Sequence, residues 1–107
     1  MTGNGAETLA ERVEAVIAEM DEVAVVQSGD ERELRAAGRL FAVISDDALE
    51  VVLDPAVAAA AQRTPDVGAS ARGPAWVLFR PLVVDRFALD RAEAWLRSAH
   101  RGPAGRA

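Results

Sequence analysis

The stretch Leu40-Phe41-Ala42-Val43-Ile44-Ser45-Asp46-Asp47-Ala48-Leu49-Glu50-Val51-Val52-Leu53 decides the fold. Two short runs rich in β-branched and apolar residues, 40–44 and 49–53, flank an acidic turn, which is the pattern of a β-hairpin. Upstream, Val23-Ala24-Val25-Val26-Gln27 is a similar run and Ser28-Gly29-Asp30 a turn. Glu31 to Ala36 is charged, but Leu34 alternates with Glu33 and Arg35, so it reads as a half-exposed hairpin partner; Ala37-Gly38 is the next turn. Four strands with such short connections predict an antiparallel meander, because a parallel crossover needs a dozen or more residues.

Helices bracket this meander. Leu9, Val13, Val16, Ile17 and Met20 recur at helical spacing with Glu11, Glu14 and Glu19 on the other side, and Thr8 with Glu11 has the form of a capping box. Asp54-Pro55 starts a second helix, since the missing proline N–H costs nothing at the first helical position. That helix is Ala-rich and stops before Thr64-Pro65. Thr64 to Pro74 is expected to be the longest irregular stretch, and 75–80 a fifth strand carrying Trp76. Asp85 caps a last helix, Arg86 to about His100, with Ala88, Ala92, Trp95, Leu96 and Ala99 on one face. Asp90 with Arg86 and Glu93 with Arg97 stand at i, i+4 spacing on its polar side. The expected fold class is α+β, in the order α-β-β-β-β-α-β-α, with the helices packed on one face of the sheet. One domain over 8–100 follows, between a flexible N-terminus at 1–7 and a disordered tail at 101–107.

Composition limits what such a domain can do. The 107 residues include 12 Arg, no Lys, 17 acids, one His and no Cys, for a net charge of −5 at pH 7. No disulfide or thiolate metal site can form, and multi-histidine metal chemistry is excluded. Net acidity disfavours phosphate-backbone binding. Charge is uneven: residues 1–35 hold nine acids and three Arg, whereas 79–107 hold three acids and six Arg. With 23 Ala and no Lys, the Arg usage reads as genome bias more than as selection for anion binding. No leader pattern opens the chain and no apolar run approaches the roughly 20 residues of a membrane span, so a cytoplasmic setting without membrane contact is expected.

Several residues invite a functional reading, each beside a plainer one. Trp76 follows a Gly-Pro loop and reads first as a core anchor, second as the floor of a ligand groove. Arg35 and Arg39 fall on one side of their hairpin if the turn does not intervene, and Arg72 and Arg80 flank the Trp76 strand. Converging, these four would hold an anion by forked guanidinium contacts; the plainer reading pairs them with Glu31, Glu33, Asp46 and Asp47. His100 suits the negative end of the last helix. Asp46, Asp47 and Glu50 make too poor a ligand set for a divalent cation. No G-x-G-x-x-G, P-loop or G-x-S-x-G occurs, so neither cofactor nor metal is expected.

Gly38-Arg39-Leu40-Phe41-Ala42-Val43-Ile44, Leu49 to Pro55, Thr64-Pro65-Asp66-Val67, Gly73-Pro74-Ala75-Trp76-Val77, Ala94-Trp95 and Ser98 to Arg101 together resemble the MmcQ/YjbR-like family. That family has a small α+β fold described as a double-wing DNA-binding motif and related in shape to the frataxin-like fold. The same skeleton is similar to short bacterial luciferase-like domains. The resemblance implies DNA binding by the Arg-bearing hairpins, but family members often carry a basic residue where this chain has Glu50 and Val52. It carries over no catalytic residue. The expected function is therefore a small noncatalytic binding or protein-interaction module, with DNA binding or anion binding near Trp76 as alternatives. A homodimer or another protein is the expected partner, the former because 40–44 and 76–79 are strongly apolar for so small a sheet.

Overall fold

The computed structural model describes residues 7–45 and 47–102. The expectations for the N-terminal stretch before Glu7, for Asp46 and for the tail after Gly102 lie outside these residues. Among the described residues three helices and six strands follow in the order α1 (Leu9–Ile17), β1 (Val23–Ser28), β2 (Glu31–Ala36), β3 (Arg39–Ile44), β4 (Leu49–Val52), α2 (Pro55–Ala61), β5 (Val67–Ala69), β6 (Trp76–Phe79) and α3 (Arg86–Arg101). They form an α+β fold around one antiparallel sheet of order β1-β2-β3-β4-β6-β5. Among the described residues no helix is long and apolar enough to cross a membrane.

The meander forms as the turn chemistry dictates. Gly29 (φ 61°) and the pair Ala37 (φ 53°) and Gly38 (φ 78°) supply the left-handed backbone that tight hairpins need. Two expectations are corrected. The sheet has six strands, not five, because Val67-Gly68-Ala69, inside the supposed irregular stretch, pairs along β6 as an edge strand. Arg101 is the last residue of α3 rather than the first of a tail.

Core-facing residues follow the pleat. Leu34, Ala42, Val51 and Val77 stand opposite one another across four strands, and Ile44, Leu49 and Phe79 form the next row. All are buried in one cluster with Leu9, Val13 and Val16 of α1, Ala58 and Ala61 of α2, and Ala88, Leu89, Ala92, Leu96 and Ala99 of α3. Trp95, on the apolar face of α3 as expected, packs half-buried against the core and meets Phe79 edge-on, the ring centroids 5.2 Å apart.

Both terminal helices are tied by charge. Thr8 and Glu11 form the capping box, each bonding the other's backbone N–H. Arg12 of α1 contacts Glu7, Asp90 and Glu93 at 3.1–3.2 Å, and Arg97 of α3 contacts Glu19 and Glu93. Asp90 thus goes to Arg12 rather than to Arg86, whose guanidinium lies over the ring of Phe87. Hydrogen bonding to Glu7, opposed by desolvation and assisted by Asp90, holds Arg12 still more firmly protonated than usual.

Candidate functional site

A β-bulge separates residues that simple alternation would join. Leu34 and Arg35 of β2 stand opposite Ala42 and Leu40, leaving Phe41 with no opposite residue. Phe41 is driven into the core, and Arg39 is turned to the helix side. There its guanidinium donates to the carbonyl oxygens of Ala99 at 3.3 Å and His100 at 3.0 Å, closing the C-terminus of α3. Arg35 stays on the opposite, open face and pairs with Glu33 at 3.1 Å. The two are therefore not neighbours on one surface.

The open face is a polar lattice over a thin apolar floor. Glu33, Val43, Glu50 and Leu78 lie opposite one another across β2, β3, β4 and β6. Arg72, from the β5–β6 loop, reaches Glu50 of β4 and Glu31 of β2, each at 3.3 Å. Such a side chain must cross β3, where Val43 is buried although it stands apart from the core cluster. Ser70 donates to Glu50 at 2.5 Å and accepts the N–H of Arg72 at 3.1 Å, which fixes the loop.

Trp76 joins this assembly and not the core. Its half-buried ring has the Arg72 guanidinium 5.9 Å from the centroid, a cation–π contact, and it does not belong to the core cluster. Its reading as a core anchor is thereby corrected. Arg80 sits beyond the end of β6, with the Asp47 carboxylate at 3.9 Å. Of Arg35, Arg39, Arg72, Trp76 and Arg80, only Arg72 and Trp76 are brought together, and Arg72 is already bracketed by two carboxylates. His100 donates from Nε2 to the Asp21 carbonyl at 3.1 Å and packs edge-on against Phe41. Among the described residues no cluster of three His, Asp or Glu side chains could hold a metal ion.

Exposed apolar surface lies elsewhere than the sequence indicates. The runs 40–44 and 76–79 are mostly covered within the chain, whereas Leu82 is 87 % exposed, Val83 69 % and Phe87 66 %. These three border a cleft of about 420 Å³ that is floored by Phe79, Pro81 and Ala88 and edged by Asp66 and Arg91. The tip is held, not loose. Asp66, in left-handed conformation (φ 70°), accepts the N–H of Arg80 on its carbonyl and the N–H of Leu82 on Oδ2. Leu82-Val83-Val84 preceding the Asp85 cap was the available signal in the sequence: three apolar residues in a turn with no strand or helix to bury them. No family model, curated protein or solved structure matches the chain.

Proposed function

We propose that the chain is a small noncatalytic protein-interaction module, of the MmcQ/YjbR-like kind, that docks a protein partner on the cleft edged by Leu82, Val83 and Phe87. The observation carrying this reading is the clustered exposure of these side chains around a concave, mostly apolar floor. Isolated apolar residues on a surface need no explanation, but a contiguous patch rimmed by charge is the signature of a contact site. Preorganisation by Asp66 adds support, because a tip already fixed loses little entropy on docking. Binding of DNA by the hairpins has less support, since Arg35 is matched by Glu33 and the open face also presents Glu31 and Glu50.

The experiment is site-specific photo-cross-linking in the cell that makes the protein. A photoreactive residue at position 82 or 87 should give one discrete protein adduct, and one at Gln62 on the end of α2 should give none. Adducts that are equal at all three positions, or missing at 82 and 87, overturn the reading.

A further inference from the structure

We propose that two copies of this chain pair through β1, antiparallel and across a two-fold axis normal to the sheet, to form one continuous twelve-stranded sheet. The surface is distinct from the 82–87 cleft, which lies at the other edge of the sheet beside β5. Among the described residues β1 bonds only to β2, so its outer row of backbone N–H and C=O groups, roughly 20 Å long for six residues, lies at the edge of the sheet.

Edge strands are ordinarily protected by charge, proline, a bulge or brevity. β1 has none of these: Val-Ala-Val-Val-Gln-Ser carries no charge and no Pro, runs for six residues and pairs with β2 without a bulge. The opposite edge, β5, has three residues and a Gly. Val25 is 49 % and Val26 45 % exposed, and as consecutive strand residues they point to opposite faces.

That two-sided exposure decides what kind of object covers β1. A helix or a ligand resting on one face would leave the other valine in water and the backbone groups unpaired. A strand alongside satisfies the backbone and places side chains on both faces at once.

A second copy supplies that strand with the right symmetry. With the axis normal to the sheet, directly opposite residues share a face, so the axis passes at Val25 or at Val26 and sets a valine against its own counterpart. In a chain of net charge −5, β1 also brings two copies together without setting one carboxylate directly against another along the strand itself. The flanking acids Asp21, Glu22 and Asp30 still repel across the two ends, so added salt should strengthen the pairing.

The test is sedimentation equilibrium of the full chain from a few to several hundred micromolar. The expected result is a monomer–dimer equilibrium that tightens between low and moderate salt. The double variant Val25→Lys/Val26→Lys, at positions exposed in the protomer, should keep the wild-type circular dichroism and weaken association by at least about tenfold, since like charges then face each other. Leu82→Lys should leave the dimer unchanged. A wild-type monomer mass throughout, a lysine variant that associates as tightly as wild type, or masses growing past the dimer with concentration overturns the proposal. If the lysine variant loses its fold, amide exchange of wild-type β1 takes its place: protection must rise with protein concentration, and protection independent of concentration overturns the pairing.

Discussion

Asp66 holds Leu82 in place: its Oδ2 accepts the Leu82 backbone N–H at 3.1 Å from a left-handed residue three positions before the end of β5. Apart from glycine, short polar residues adopt that backbone most readily, and an acceptor side chain there can also restrain the tip. Asp66→Ala should therefore lose both properties and cost about 1 kcal/mol, read by thermal or urea unfolding. Amide exchange at Leu82 should accelerate as well. Asp66→Asn, which keeps an acceptor and tolerates the conformation, should show a smaller loss; equal losses would mean that the hydrogen bond contributes nothing.

Arg39 binds the end of α3 from the start of β3: the Ala99 carbonyl it reaches also accepts the Gly102 N–H, whereas the His100 carbonyl is among the last acceptors of the helix, which have no partner within it. Arg39→Ala removes a charge-assisted bond and should destabilise the fold by about 2 kcal/mol. Arg39→Lys retains the charge but not the fork, and should recover only part of that loss. Equal unfolding midpoints for wild type and Arg39→Ala would show that the contact is incidental.

How far these features could be read from the residues alone depends on the range of the interaction that sets them. Turns at Gly29 and Gly38, the Thr8–Glu11 box and the Asp85 cap are local, and each is found where its sequence signal lies. The bulge at Phe41 is not local: it places that ring in the core, edge-on to His100 of α3, and alternation along the hairpin cannot foresee it. β5 was hidden for the same reason, since Val-Gly-Ala has no strand pattern of its own and is ordered by pairing with β6. Trp76 was misplaced because an aromatic residue in a strand carries no sign of which face it takes, and the Gly73-Pro74 loop brings Arg72 back over that ring.

Arg12 draws α1 and α3 together through Asp90 and Glu93 and also holds Glu7 just before α1, with only 18 % of its side chain exposed. Arg12→Gln should lower stability by about 1 kcal/mol, at the upper end for ion pairs near a surface because three partners share one cation. The pH dependence has a definite sign. The folded-state pKa of Arg12 is raised, chiefly by Glu7, so its contribution is fully present below the ordinary arginine value and disappears only in stronger alkali. The difference between wild type and Arg12→Gln should therefore be the same at pH 7 and pH 10 in urea titrations, and a difference that shrinks by pH 10 contradicts the assignment.

Arg72 is the cation best placed to receive an anion beside Trp76, and its two carboxylate partners argue that it does not do so unaided. An incoming anion would have to displace Glu31 and Glu50 from contacts at 3.3 Å and then sit beside their charges. Sulfate stabilises most proteins by exclusion from their surfaces, so the informative quantity is its effect on wild type relative to Arg72→Ala, in which no site could remain. That difference in melting temperature should be zero for the wild-type chain. In the double variant Glu31→Gln/Glu50→Gln the guanidinium keeps its place over Trp76 and loses its competitors, and sulfate should then raise the melting temperature beyond the exclusion effect by mass action. A specific sulfate effect already present in wild type would show instead that the carboxylates yield to an anion, and would move the functional emphasis from the 82–87 cleft to the open face of the sheet.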